Sequence, residues 1–393
     1  VGLSCVYRVA WSDIQRTDYT VYTAAGQALL DHSDLYAAQN SRGWRYVYPP
    51  PFALLMIPFA KMSLALGATI WYLLEVMSIA AVSMMSVKML QPLVQDRHKD
   101  LLYSLPLFSF CVILVSGAMR CQASIFMFTL MVATFYFHFA KNPIASGMSL
   151  AAAILMKVFP VVLVAYFAWR RQWRVLLSAV AGLLVMGMLL PGLVLGWQQN
   201  VQNIERWVDV VGRPALMSNS VRAANTPLFE QLMDTRKPRN QSLESVFLTA
   251  GVEPTQSRRL VYGLAALMLL VMLWVARKSR SYLDELSLAG AFLAWCLLIP
   301  PISEAHYFGA LIMPLTVLLG RVLYEDNDEG RRSRRLGVFG YGGVMVLAML
   351  LLSWKPTETL RPLALATLFL WGASIYSILR ARSRVTNRPG RDI

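Results

Sequence analysis

The sequence predicts an all-α protein that crosses a membrane many times. Of its 393 residues, 56% are hydrophobic and only 15% are charged, and the mean hydropathy is +0.49. A soluble chain carries about 25% charged residues, so this composition is typical of a polytopic membrane protein. The net charge of +15 comes from 37 basic and 22 acidic residues, and the basic ones cluster between apolar segments. This clustering indicates membrane topology rather than binding to nucleic acid.

Apolar runs define the spans in chain order. Nine of these runs are uninterrupted. A tenth run, IASGMSLAAAILMKVFPVVLVAYFAW, is interrupted at Lys157 and is either one long broken helix or two short helices. The total is therefore ten or eleven spans. The other nine predicted spans are Ala65 to Val87, Leu101 to Ala118, Ala123 to Ala140, Arg174 to Leu195, Leu260 to Ala276, Leu283 to Pro300, Ala305 to Leu319, Leu336 to Ser353 and Leu363 to Leu379.

Basic runs set the predicted orientation. The runs that start at Arg170, Arg277 and Arg331, and the basic tail 380–393, can all be cytoplasmic together. For Lys88, Arg97 and Lys99 to be cytoplasmic as well, Lys141 must face inward and the Lys157 stretch must be two short helices. Two long polar segments, residues 1–64 and 196–259, then become external loops that bear short surface helices. The whole chain, 1–393, is predicted to be a single integral membrane domain, in a bacterial plasma membrane.

The segment before Asp18 is short. It reads VGLSCVYRVAW, and we interpret it as the remnant of a leading helix that brings the chain to the external side. After Asp18, three consecutive prolines, Pro49 to Pro51, favour a turned entry, so the stretch to Ala60 is expected to lie along the membrane surface.

The spacing of the cysteines and the absence of common catalytic motifs exclude several classes of site and enzyme. The four cysteines are far apart and show no CxxC spacing, so neither a disulfide framework nor a zinc site is predicted. No P-loop, HExxH or GxSxG motif occurs, which leaves nucleotide hydrolysis and serine-hydrolase chemistry without support. No cofactor or metal site is predicted, and a divalent ion stays open as an alternative.

Charged residues at membrane depth or at helix ends are the candidates for chemistry. Lys157 interrupts an apolar run just before Pro160, and such a charge is costly unless it functions or reaches the surface. Arg120 lies beside Gln122 at a helix junction, where it could meet a phosphate or anchor the helix at the headgroups. Glu304 and His306 follow two prolines at another helix end. His306 is either a hydrogen-bonding or proton-transfer group or a packed histidine.

Six strings resemble glycosyltransferase family 87, the polyprenyl-phosphate-mannose-dependent membrane transferases of GT-C fold. The strings are DYTVYTAAGQALL…DLY, YVYPPPFALLMIPFA, RCQASIFMF, AAAILMKVFPVVLV, NQSLESVF and PPISEAHYF, and together they cover most of the chain.

The resemblance implies an activity and roles for particular residues. Asp18 takes the position of the family's catalytic base, although a carboxylate in an external loop is otherwise simply solvated. Lys157, Arg120 and His306 are implied to bind the donor phosphate. Implied substrate-binding residues are Tyr22, Tyr48, Gln122, Asn240, Gln241 and Glu304.

The sequence departs from the family pattern at two places. Cys121 replaces the glycine that precedes Gln122. Glu304, Ala305 and Tyr307 replace the Trp, the acid and the second His around His306. The second departure suggests a different acceptor.

The resemblance predicts inverting transfer of a hexose, mannose in particular, from a polyprenyl phosphate to a lipid or glycan acceptor on the outer face. Membrane lipids are the other expected partners. One alternative is a secondary transporter or a flippase for lipid-linked glycans, although the internal repeats typical of transporters are not evident. Another is a glycan polymerase or ligase that uses a lipid diphosphate donor.

Overall fold

Helix is the secondary structure at every predicted span. The computed structural model describes residues 1–12, 17–92, 94, 98–213, 235–279, 281–324 and 331–386. Within these ranges there is no β-strand, only isolated bridges that pair Gln39 with Arg45 and Asn240 with Glu304. The all-α fold class is therefore confirmed.

The helices are numbered along the chain. They are α1 Gly2–Ala10, α2 Tyr19–Leu30, α3 Pro50–Ala60, α4 Leu64–Met89, α5 Lys99–Ser109, α6 Cys111–Ala118, α7 Ser124–Phe139, α8 Pro143–Met156, α9 Val164–Trp169, α10 Trp173–Leu184, α11 Leu190–Leu195, α12 Trp197–Trp207, α13 Leu243–Thr249, α14 Pro254–Ala276, α15 Tyr282–Leu298, α16 Ile312–Tyr324, α17 Arg331–Ser353, α18 Lys355–Glu358 and α19 Pro362–Thr386.

Five helical stretches in the described ranges are long and apolar enough to cross a membrane. They are Leu64–Met89, Trp173–Leu195, Pro254–Ala276, Ala305–Tyr324 and Pro362–Arg380. Helices α5 and α6 would add a sixth if they form one broken span. Other predicted spans coincide with shorter helices, such as the 16 residues of α7. Sixteen residues measure about 24 Å at 1.5 Å per residue, less than a hydrocarbon core of about 30 Å. The total of ten or eleven spans therefore stays a prediction.

The chain forms two compact units, one of residues 1–81 and 113–235 and one of residues 82–112 and 236–393. The prediction of a single transferase domain, with external loops 1–64 and 196–259, is not tested by this division. Residues 214–234 of the second loop, and residues 387–393 of the basic tail 380–393, lie outside the described residues.

In the first unit, α2 packs closely on α3, and α8 packs between α7 and α10. A Cβ atom placed on Gly26 of α2 would lie 2.8 Å from the backbone carbonyl carbon and oxygen of Met56. Glycine is therefore the residue that allows this approach. The close packing fixes α2, which carries Asp18 at its start, against the segment that follows Tyr48.

In the second unit, α15 is buried along nearly its whole length and packs on α14, α16 and α19. It begins with a capping box in which Ser281 and Asp284 exchange side-chain to backbone hydrogen bonds. The same Asp284 forms a buried ion pair of 2.9 Å with Arg321 of α16, and Ser287 accepts a second hydrogen bond from that guanidinium. Since both charges are paired, this contact fixes α16 on α15 without an uncompensated buried charge.

Candidate active site

Asp18 is held at the start of α2 by the chain around residue 120. Its backbone N–H donates to the carbonyl of Arg120 over 3.1 Å, and its Oδ2 accepts a hydrogen bond from Nε2 of Gln122. The carbonyl of Asp18 accepts from the N–H groups of Val21 and Tyr22, which begins the helix. Backbone and side chain are both fixed, so this half-buried carboxylate has a defined position.

Aromatic side chains surround the first turn of α2. The hydroxyl groups of Tyr22 and Tyr48 lie 3.0 Å apart, and both rings pack edgewise or tilted against Phe52, with centroids 5.0 and 5.1 Å away. Burial, and then the neighbouring Tyr48 and Asp18, holds the pKa of Tyr22 well above its usual range. Tyr22 therefore stays a neutral phenol that can donate or accept a hydrogen bond.

Lys157 lies where the helix breaks. Helix α8 ends at Met156, Lys157 has extended backbone angles of φ −152 and ψ 130, and a 3-10 turn begins at Phe159. The Lys157 stretch thus forms two short helices rather than one long helix. Its Nζ lies 5.2 Å from the centroid of the Tyr48 ring, within the range of a cation–π contact.

Contacts therefore connect six predicted site residues in the first unit, and Arg120 and Gln122 are the two that contact Asp18 directly from the junction. Asp18 begins α2, Tyr22 lies one turn further on, its hydroxyl meets that of Tyr48, and the Tyr48 ring lies under Lys157. This sequence of contacts places a carboxylate, two phenols and an ammonium group around one region. The first can accept a proton and the last can stabilise a phosphate.

Glu75 supports the junction from within α4, and sequence reasoning assigned it no role in the site. It is fully buried, accepts a hydrogen bond of 3.0 Å from Nε1 of Trp71, and faces the backbone N–H of Gln122. The Trp71 ring also packs against Tyr22, with centroids 5.7 Å apart. Two sequence signals mark this pair: Glu75 is the one acid well inside a predicted span, and a tryptophan and an acid four residues apart share one helix face.

The NQS element of the second unit binds backbone rather than open space. The amide of Asn240 donates to the carbonyl of Pro301 over 2.8 Å and accepts from the N–H of Ser303 over 2.9 Å. The Gln241 side chain accepts from the N–H of Leu363 and donates to the carbonyl of Pro238. These contacts build the loop around Ser303, and a substrate-binding role for either amide stays a prediction.

His306 lies in the same loop system and is buried. Its Nε2 is 3.0 Å from Oε2 of Glu304, and Glu304 in turn bridges Asn240 through the backbone. The histidine and the acid therefore belong to one polar group with the NQS element. The predicted phosphate-binding role of His306 is not tested, and His306 lies in a different unit from Asp18, Arg120 and Lys157.

Arg361 binds the backbone just before the NQS element, and sequence reasoning did not select it. It is 2% exposed and donates to the carbonyls of Arg236, Lys237 and Pro238 and to the hydroxyl of Thr249. Burial lowers its pKa from the usual value, although a guanidinium stays charged.

We expect Arg361→Ala to destabilise the protein, because three backbone carbonyls and the Thr249 hydroxyl would lose a charged donor at once. Each such hydrogen bond contributes about 1.5–3 kcal/mol, so the free energy of unfolding should fall by at least ~3 kcal/mol. Thermal unfolding in detergent, followed by intrinsic fluorescence, measures this loss. The exposed Lys355, at the start of α18, gives the matched control Lys355→Ala, which should unfold like the wild type. Equal unfolding temperatures for both variants would contradict the role of Arg361.

Glu244 should make stability depend on pH. It is buried in α13, and Nη2 of Arg258 lies 3.5 Å from Oε2 of its carboxylate. Burial raises the pKa of Glu244 to about 7. Between the pKa of an unfolded glutamate, about 4.3, and the pKa of about 7 in the folded protein, the folded state binds a proton that the unfolded state has lost. Protonation of Glu244 therefore stabilises the folded state at low pH, and this stabilisation is lost as the pH rises from about 4.3 through 7.

The matched variant is Glu244→Gln, which stays neutral at every pH. We expect the unfolding temperature of Glu244→Gln to rise relative to that of the wild type between pH 5 and pH 7. Above pH 8 the difference between the two unfolding temperatures should stay constant. Unfolding curves of the two proteins over this pH series provide the measurement. A difference that does not change with pH would show that Glu244 titrates normally.

Among the described residues, no group of three or more His, Cys, Asp or Glu side chains lies together as metal ligands. The prediction of no metal stays a prediction.

The apolar helices, the residues around Asp18 and the residues around Asn240 and His306 define an integral membrane protein with a carboxylate and cations beside its apolar segments. The chain belongs to glycosyltransferase family 87, whose family model matches residues 46–301. It is also similar to the polyprenol-phosphate-mannose-dependent alpha-(1-2)-phosphatidylinositol mannoside mannosyltransferase of Mycolicibacterium smegmatis. The two sequences are 24% identical over 381 residues, which cover 91% of this chain and 79% of that protein. The protein is therefore a membrane glycosyltransferase of the hexosyltransferase class, as the resemblance predicted.

Proposed function

We propose that this protein transfers mannose from a polyprenyl phosphate to a lipid or glycan acceptor at the outer face of the plasma membrane, within a fold of GT-C type. The name of the M. smegmatis relative specifies a polyprenol-phosphate-mannose donor and a phosphatidylinositol mannoside acceptor, which supports a lipid-linked donor here. The position of Asp18, fixed by Arg120 and Gln122 and connected to Lys157 through Tyr22 and Tyr48, carries the proposal.

The proposed reaction is a single displacement at the anomeric carbon. The acceptor hydroxyl oxygen forms the new bond to that carbon, its proton passes to the Asp18 carboxylate, and the bond to the phosphate oxygen breaks. Because the phosphate is a good leaving group, one carboxylate suffices, in contrast to glycoside hydrolysis by two carboxylates. Lys157 and Arg120, both in the first unit, would stabilise the charge of the departing phosphate. A single displacement inverts the configuration of the sugar.

The proposal is tested with the purified full chain in lipid vesicles, supplied with radiolabelled polyprenyl-phosphate mannose and a lipid extract from cells that lack the gene. We expect label in a new lipid or glycan product and release of polyprenyl phosphate in equal amount. Three further arms separate the alternatives. GDP-mannose should give no product, and a polyprenyl diphosphate sugar should be used only by a polymerase or ligase. A flippase would move the labelled donor between leaflets without forming a new product.

A further inference from the structure

Two cysteines meet beneath the loop that holds Asp18. Cys5 of α1 and Cys121, between Arg120 and Gln122, are both 0% exposed, and their Sγ atoms lie 2.8 Å apart. A disulfide brings two sulfur atoms to about 2.05 Å, so a small movement of the two side chains is sufficient to form the bond. We propose that Cys5 and Cys121 form a disulfide that fastens α1 to the junction that positions Asp18.

The backbone of Cys121 is a second, independent observation. Its φ angle is +54, in the left-handed region that favours glycine. A side chain other than glycine persists there only where its surroundings fix the conformation. The chain thus keeps a cysteine at a strained position, with its sulfur directed at another buried cysteine, and a covalent bond between them would fix that conformation.

The bond would act on the proposed catalytic residue through its neighbour in the sequence. Gln122 follows Cys121 directly and donates to the Asp18 carboxylate, while the carbonyl of Arg120, on the other side, accepts from the Asp18 N–H. Both contacts that place Asp18 therefore come from residues adjacent to Cys121. Fastening Cys121 to α1 would reduce the freedom of both contacts at once.

The chemistry needs an oxidising compartment, and in this respect the inference rests on the external placement in the proposed function. The oxidant is an exported thiol oxidoreductase that carries a disulfide. One cysteine thiolate attacks that disulfide to form a mixed disulfide, and the second thiolate then displaces the carrier. Two S–H bonds of the chain are lost and one S–S bond forms, while the carrier leaves as a dithiol with the two electrons and two protons. Since both sulfurs are buried in the folded protein, the exchange takes place before α1 packs.

The test counts thiols in the chain of residues 1–393, expressed in membranes. Membranes are quenched in acid, dissolved in SDS and treated with maleimide–polyethylene glycol, before or after reduction, and the gel shift gives the number of added groups. The chain contains four cysteines. We expect two added groups before reduction, on Cys111 and Cys296, and four after it.

Matched variants decide which cysteines pair. Cys5→Ser should give three added groups both before and after reduction, and the double variant Cys111→Ser with Cys296→Ser should give none before and two after. Four groups before reduction in the wild type, or two before reduction in the double variant, would overturn the proposal. Neither count uses sugar transfer. The experiment can therefore contradict the disulfide while the proposed activity stands, and loss of the proposed activity would not change the counts.

Discussion

Asp18→Asn should abolish sugar transfer while the protein still reaches the membrane. Asparagine has nearly the same shape and can still accept the hydrogen bond from Gln122, so the fold around α2 should persist. It cannot take a proton from the acceptor hydroxyl. Loss of a general base costs about 10²–10⁴-fold in rate, and with no second carboxylate assigned here we expect a fall of about 10³-fold in kcat. The measurement is transfer of radiolabelled mannose from polyprenyl phosphate, normalised to the amount of protein in the vesicles.

The control for Asp18→Asn is Asp31→Asn, at the other end of the same helix. Asp31 is exposed and accepts a hydrogen bond from Gln27, and it has no contact with the proposed site. This variant should transfer sugar at the wild-type rate. Turnover of Asp18→Asn within a factor of two of the control would remove Asp18 from the mechanism and leave the NQS group of the second unit as the next place to search.

Much of the fold could be predicted from apolar patterning, because a span needs a long run of side chains that tolerate lipid. The exception is helix length. Helices α7 and α8 have 16 and 14 residues, and their ends follow from a left-handed Lys141 and an Asn142 cap that accepts from Ala145. These ends agree with the predicted span Ala123 to Ala140, but 16 and 14 residues are fewer than a straight crossing needs, so the apolar runs alone do not decide how many helices cross the membrane.

The contacts between the predicted site residues could not be derived from the sequence. The resemblance selected Asp18 and Gln122, but their hydrogen bond joins positions 104 residues apart and depends on how the helices pack. It also noted a cysteine at position 121, whereas the positive φ angle and the contact with Cys5 appear only in the folded chain.

Asn240 and Gln241 illustrate the opposite difficulty. Their amides were predicted to bind substrate, and the structure shows them bound to backbone groups near Ser303 and Leu363. A buried loop must satisfy its own backbone donors and acceptors, and amide side chains do this well. The sequence alone does not distinguish an amide that recognises a substrate from one that closes a loop.

Lys157→Ala should weaken use of the donor far more than use of the acceptor. Lys157 has non-helical backbone angles, and its Nζ lies 5.2 Å from the Tyr48 ring centroid. A hydrogen bond between charged partners contributes about 1.5–3 kcal/mol, so kcat/KM for the polyprenyl-phosphate donor should fall about 10- to 100-fold. Initial rates at varied donor and at varied acceptor separate the two effects. Lys157→Arg keeps the charge and should restore part of the loss.

Lys141→Ala is the matched control, because Lys141 is an exposed lysine just before α8 whereas Lys157 directly follows it. It should leave both sets of rates unchanged. If Lys157 only anchors the helix break, Lys157→Ala will lower the unfolding temperature while the surviving protein keeps the wild-type KM for the donor. An unchanged kcat together with an unchanged KM for the donor would likewise argue against a phosphate contact, because stabilisation of the departing phosphate appears in kcat and binding of the donor phosphate appears in the KM of the donor.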